Sequence, residues 1–68
     1  MAGIYKKIEI VGTSKESFAD ATRTAIAEAS KTVHNMSWFE VEEMRGAIKG
    51  NQVSEFQVTV RIGFKVEH

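Results

Sequence analysis

The chain has 68 residues with nine basic and nine acidic side chains, a formal net charge of zero, no cysteine and no proline. One small domain is expected, spanning residues 1–68, and a domain of this size is marginal alone unless a disulfide, a metal or association of chains supports it. The absence of cysteine excludes the first and a thiolate zinc site, two distant histidines (His34, His68) do not suggest a metal site, and self-association remains. Charge balance disfavours a nucleic-acid binder, which normally carries a basic excess or stripe. No apolar run approaches a membrane span and no charged start leads into an apolar signal segment, so a soluble cytoplasmic protein is expected.

Residues 4–11 alternate, with Ile4, Ile8 and Ile10 on one parity and Tyr5, Lys7 and Glu9 on the other, which predicts a half-buried strand. Gly12-Thr13-Ser14 interrupts the pattern and reads as a helix start, with Thr13 or Ser14 as cap and Glu16 in the capping-box position after Thr13. A helix over 15–33 follows, its stripe formed by Phe18, Ala21, Ala25, Ile26, Ala29 and Val33. Its alanines allow close approach to a sheet, and its five serines and threonines mean that packing must hold it. Asn35 suits a left-handed residue after the helix.

Residues 38–48 predict a second strand. Phe39 and Val41 share one parity, Trp38, Glu40 and Glu42 the other, and then Met44 and Ile48 fall out of step. One extra residue near Glu42-Glu43, a β-bulge, restores the order. It places Phe39, Val41, Met44 and Ile48 towards the helix and puts Arg45 on the face of Trp38, whereas an uninterrupted strand would drive Arg45 into the core. Lys49-Gly50-Asn51-Gln52 reads as a hairpin turn. Residues 53–67 form a third strand, in which Phe56, Val58, Val60, Ile62, Phe64 and Val66 alternate with Gln57, Thr59, Arg61, Gly63, Lys65 and Glu67. The fold class is α+β. The order is β-α-β-β, a three-stranded antiparallel sheet with the first strand beside the third and one helix on one face.

The opposite face carries Tyr5, Trp38, Arg45, Gln57, Arg61 and Lys65. Trp38, the only tryptophan, fits either a subunit interface, where tryptophan is enriched, or a stacking surface for a planar ligand. Gln57 can present donor and acceptor to a heterocycle edge or to water. Arg45 can meet a phosphate or the acids Glu40 and Glu42, while Lys65 and Arg61 read as solvated face residues. No catalytic constellation is visible, and the single glycine of Gly12-Thr13-Ser14 is a weak anion-site signal.

These residues together resemble the dodecins, small flavin-binding proteins of bacteria and archaea, over nearly the whole chain. The resemblance is carried by Tyr5-Lys6, Ile8 through Ser14, Trp38-Phe39-Glu40-Val41, Arg45-Gly46, Phe56-Gln57-Val58, and Val60 through Glu67. It implies a sheet curled around the helix and a homododecamer with flavins stacked in pairs between tryptophans at a two-fold interface. It also implies a non-enzymatic flavin store for FMN, with riboflavin and FAD as alternatives. By the same resemblance Trp38 is the stacking residue, Gln57 contacts the ring edge, Arg45 lies at the same site, and Lys65 stands near the flavin phosphate, where the family commonly has arginine. Ser37 departs from the aspartate usual before the tryptophan, at the ribityl contact. Coenzyme A is a further ligand implied for bacterial members, in the region of Lys6, Thr32 and Glu67, where Glu28 departs from a basic residue. The alternative reading is a structural or partner-binding homo-oligomer without flavin.

Overall fold

The computed structural model describes residues 3–66. The elements are β1 (Tyr5–Ser14), α1 (Phe18–Ala29), β2 (Met36–Lys49) and β3 (Gln52–Lys65). They form one antiparallel sheet in the order β1-β3-β2. The expected β-α-β-β architecture is therefore present, with the most regularly alternating strand in the centre, the only place with partners on both sides. Buried Val58, Val60 and Ile62 of β3 pack against Ala21, Ala25 and Ala29, the four-residue repeat that forms one face of the helix. Phe18 meets Phe56 edge-on, with ring centroids 4.9 Å apart, and closes the core at the start of the helix.

The expected start of the helix is corrected. The first strand continues through Thr13 and Ser14, which pair with Gln57 and Phe56, because β3 extends far enough to partner them. The helix is capped at Ser17, whose hydroxyl accepts from the Asp20 amide at 2.9 Å. Ser14 acts one step earlier: its hydroxyl accepts from the Glu16 amide at 2.9 Å and donates to the Asp20 carboxylate at 2.7 Å. The box expected at Thr13 and Glu16 is not formed. Gly12 lies within the strand, so its neighbourhood is not a helix N-terminus and offers no anion site there. The glycine serves close packing instead: a Cβ at Gly12 would lie 2.2 Å from the Ala21 carbonyl oxygen and 2.7 Å from the Ala25 Cβ.

The helix also ends sooner than expected, at Ala29 rather than 33. The amides of Lys31 and Thr32 bond back only three residues, to Glu28 and Ala29, as the chain tightens. Asn35 takes a φ of 62°, as its position suggested. The hairpin places Gly50 at φ 60° and Asn51 at φ 62°, the pair of positive angles that matches the twist of a two-residue turn.

The register of β2 breaks between Val41 and Glu43, at the expected bulge. It also breaks at Met36/Trp38 and Ala47/Ile48, which the alternation did not announce. Phe39, Val41 and Met44 then oppose Ile62, Val60 and Val58, on the core side of the sheet. The helix does not cover them. It packs on β1 and β3, and Phe39, Val41 and Met44 remain about half exposed while Ile48, near the turn, is 76% exposed. The reason is placement: the helix lies over β1 and β3, so Phe39, Val41 and Met44, level with the buried Ile62, Val60 and Val58, sit beside it rather than under it. Ile48 lies towards strand ends that a 12-residue helix of about 18 Å cannot cover on 14-residue strands of roughly 46 Å. The protein is accordingly long and thin, 53 × 20 × 13 Å. Its radius of gyration, 14.1 Å, exceeds the roughly 11 Å of a compact chain of this length.

Candidate functional site

The face of the sheet away from the helix carries a ladder of side chains whose rows follow from the register. Lys7, Gly63 and Trp38 form one row, Glu9, Arg61 and Glu40 the next, and Arg45 and Gln57 share a row with Thr13 further along. This is the face on which Trp38, Arg45, Gln57 and Lys65 were expected together, and the bulge at Val41/Glu43 brings Arg45 onto it.

Gly63 is what makes the Trp38 row unusual. A Cβ at that position would lie 2.3–2.4 Å from Cε2, Cζ2 and Cη2 of the indole. Three nearly equal distances to atoms of one six-membered ring put that point beneath the ring centre. The indole therefore lies face-on across the backbone of β3, with its other face turned outward, and 39% of the residue stays exposed. Tyr5 flanks it, with ring centroids 5.4 Å apart and planes tilted by 57°. The indole Nε1–H donates to Glu40 Oε2 at 2.8 Å, and Lys7 Nζ lies 2.8 Å from the same oxygen. The Glu40 carboxyl is held below its usual range, first by the hydrogen bond from Lys7 and then by that from the indole.

Sequence reading singled out neither Gly63 nor Glu40 as part of this site. The usable signal was a lone glycine in an otherwise unbroken strand, which marks close approach of another group. Gly63→Ala is expected to push the indole off the sheet, visible as a red shift of tryptophan emission. The ring can swing towards solvent, so the melting temperature should fall by no more than about 8 °C, the equivalent of roughly 1 kcal/mol in a domain this small. Unchanged emission would contradict the packing described.

Arg45 Nε donates to Gln57 Oε1 at 2.7 Å, and Gln57 Nε2 donates to Glu55 Oε1 at 2.8 Å, which fixes the orientation of the carboxamide. Glu43 lies 3.9 Å from Arg45. The acids expected to pair with Arg45 are engaged elsewhere, Glu40 with Lys7 and the indole, and Glu42 with Arg61 at 3.5 Å. Arg61 also binds Glu9 at 3.1 Å, which raises its pKa. Its cation is thus paired on the sheet surface while remaining exposed to solvent, as its position suggested.

Lys65 is exposed and opposes Tyr5, two residues beyond Gly63 and so close to the indole. Ser37 is exposed beside Trp38, with its hydroxyl 3.3 Å from the Asn35 carbonyl. Trp38 and Gln57 do not meet within one chain. Gly63, under the indole, and Gln57 are six residues apart on β3, about 20 Å along the strand. The chain thus carries two half-sites on one face: an aromatic one at Trp38 with Ser37 and Lys65, and a polar one at Arg45 and Gln57.

The comparison with known proteins gives this face its family. The Dodecin family model matches residues 4–67. The chain belongs to the dodecin family. A curated dodecin from Thermus thermophilus is 46% identical over 67 residues, 98% of this chain and 97% of the relative. A solved structure of a dodecin from Streptomyces davaonensis superposes with a TM-score of 0.95 at 41% identity, covering each chain completely. A calcium-chelating dodecin from Mycobacterium tuberculosis, described with a calcium-binding site, is more distant, at 26% identity and a TM-score of 0.82 over 94% of this chain and 91% of that one. Among the described residues of this dodecin-family chain, no group of three or more His, Cys, Asp or Glu could hold a metal ion. No helix among them is long and apolar enough to cross a membrane.

Proposed function

We propose that this dodecin is a flavin store of the cytoplasm, not an enzyme, which holds FMN against Trp38 at an interface between copies of the chain and quenches its photochemistry. The observation that carries this reading is the indole laid flat on Gly63 with its outer face open. A ring held in that way is a ready stacking surface. A bound flavin supplies a planar, redox-active ring, and an electron-rich indole in face contact with it quenches its excited state.

The spacing of the half-sites supports a paired site. A flavin ring is about 10 Å long, half the roughly 20 Å between Trp38 and Gln57 on one chain. Two chains that apply these faces antiparallel about a two-fold axis bring the aromatic half of one to the polar half of the other. The Gln57 carboxamide, oriented by Arg45 and Glu55, then meets the donor and acceptor edge of the ring. The Lys65 cation and the Arg45 guanidinium, both exposed, favour a ligand with a phosphate, hence FMN before riboflavin, with FAD as a larger alternative. Ser37 offers one hydroxyl to the ribityl chain.

Assembly follows the same logic. The chain exposes 5109 Å², against about 4,300 Å² expected for a compact monomer of its mass. Exposed Phe39, Val41 and Met44 leave the core side of β2 open for another copy. A homododecamer buries such surface.

A cleft of about 340 Å³ beside the end of the helix, lined by Lys6, Thr32, His34 and Lys65 among others, favours coenzyme A as a second, phosphate-bearing ligand. Glu67, the other residue of that expectation, lies outside the described residues.

Titration of FMN with micromolar protein, followed by flavin emission, tests the reading. Emission is expected to fall to a low plateau as protein is added. Full emission in the presence of an intact assembly by native mass spectrometry would refute it and leave a structural homo-oligomer, as would protein that is colourless on purification and cannot be loaded with flavin.

A further inference from the structure

The indole of Trp38 lies on the surface of the sheet with only glycine beneath it, so packing alone does not stop it from turning. The second side-chain torsion of tryptophan is a broad sp³–sp² rotation, and Tyr5 touches the ring from one flank only. The contact that defines the ring direction is the bond from Nε1–H to Glu40 Oε2, at 2.8 Å. We propose that Glu40, braced by Lys7, is the positioning residue that holds the Trp38 indole flat over Gly63 as a fixed stacking surface.

The placement of the three residues explains why Glu40 can do this. Glu40 is two residues from Trp38 on β2, so the side chains share a face one row apart. Lys7 belongs to the Trp38 row, on the far side of β3. No side chain stands between them, because the intervening residue is Gly63. The lysine therefore reaches across the sheet to the carboxylate, with contacts of 2.8 and 3.2 Å to its two oxygens. One glycine thus makes room for the indole and opens the path for the ion pair that holds it. Hydrogen bonds to a charged acceptor are roughly twice as strong as neutral ones. A carboxylate fixed by Lys7 cannot follow the indole if the ring turns.

Other charged groups on this face do not compete. Arg61 of β3, next in line, is engaged by Glu9 of β1 and Glu42 of β2. Lys65 of β3 is exposed beyond Tyr5 and pairs with no acid among the described residues. The helix lies on the opposite face. Glu40 is held ionised by Lys7, the indole and, at longer range, Arg61. Because its folded pKa is depressed, indole ordering is present at neutral pH and is lost only in acid, as the pH falls through that depressed value.

The ligand arm of this inference rests on the flavin reading; the ordering arm does not. Trp38 is the only tryptophan, so near-UV circular dichroism and indole anisotropy report its immobilisation with no ligand present. The assembled protein is compared with Glu40→Ala, Glu40→Gln and Lys7→Met, with far-UV spectra and native mass confirming fold and assembly. Glu40→Ala is expected to lose the sharp indole bands and about ten-fold in FMN affinity, the loss of one charge-assisted hydrogen bond. Glu40→Gln, the neutral isostere of the protonated carboxyl, loses the ion pair with Lys7 and should show at neutral pH the weakened bands that the wild type shows in acid, with no acid transition of its own. Lys7→Met, which keeps the charged acceptor without its brace, should fall between Glu40→Gln and the wild type. Unchanged indole bands in Glu40→Ala overturn the proposal, as does an acid transition that survives in Glu40→Gln. If no form binds FMN, the flavin reading fails while the indole bands still decide the role of Glu40.

Discussion

Replacing Trp38 with alanine is expected to weaken FMN binding by roughly 150- to 700-fold, or about 3–4 kcal/mol. About 100 Å² of contact on one ring face contributes roughly 2.5 kcal/mol at 25 cal/mol per Å². The stacking geometry adds about 0.5–1.5 kcal/mol beyond burial. The loss should be confined to the ligand. The indole lies outside the core, which is built from Ala21, Ala25, Ala29, Val58, Val60 and Ile62, so the variant should fold as before. Trp38→Phe keeps a smaller ring without the N–H that Glu40 accepts, and should fall between wild type and alanine. Flavin emission titrated with each variant, beside native mass spectra, gives the comparison. Superimposable curves for wild type and Trp38→Ala would remove the stacking role and, with it, the main support for flavin storage.

Gly12→Ala is expected to be the most damaging single methyl group in the chain. The new Cβ would lie 2.2 Å from the Ala21 carbonyl oxygen, 3.2 Å from its carbonyl carbon and 2.7 Å from the Ala25 Cβ. Two of these atoms are helix backbone, so no side-chain rotation relieves the contact, and the helix must lift from β1. Overpacking a core in this way costs about 1–3 kcal/mol. In a domain of 60–100 residues each kcal/mol lowers the melting temperature by roughly 4–8 °C, so a fall of about 12–24 °C is expected from a cost near 3 kcal/mol. Thermal unfolding of the assembled protein, followed by far-UV circular dichroism, measures it. A midpoint within about 2 °C of wild type would show that the helix does not need this close approach. The contrast with Gly63→Ala is informative. There the obstacle is the far end of a side chain, which can move, so the ring and not the fold should give way.

Much of the architecture was legible because hydrophobic periodicity is a local property. The strict alternation of β3 marked the central strand, and the slip after Val41 marked a bulge that the register shows between Val41 and Glu43. Asn35, Gly50 and Asn51 announced their positive φ angles by residue type. The errors came where tertiary pairing overrode a local signal. Gly12-Thr13-Ser14 resembled a break and a cap, yet β3 continues past it and keeps those residues in β1. The true cap, Ser17, is equally plain as a sequence, but only the observed strand end selects it. Phe39, Val41 and Met44 have the parity of core residues and stay about half exposed, because parity names the face of a sheet but not how far a helix reaches over it.

The candidate site divides in the same way. Trp38, Arg45 and Gln57 could be assigned to one face from the sequence, because side-chain direction in a strand repeats every two residues and a single bulge shifts it by one. Distance along that face was not apparent, and the tertiary register places the indole and the carboxamide six residues apart on β3. Pairings across strands were equally out of reach: Lys7 with Glu40, Arg61 with Glu9, and the indole with Gly63 join positions far apart in the chain. The sequence by itself determined the type and order of the elements and the face shared by Trp38, Arg45 and Gln57, since these follow from local periodicity and turn chemistry, but not where each element ends. Only the tertiary structure decided that Trp38 lies flat on a glycine with its N–H held by a braced carboxylate. That arrangement depends on which strands become neighbours and in what register, and pairing of distant segments is a property of the whole folded chain.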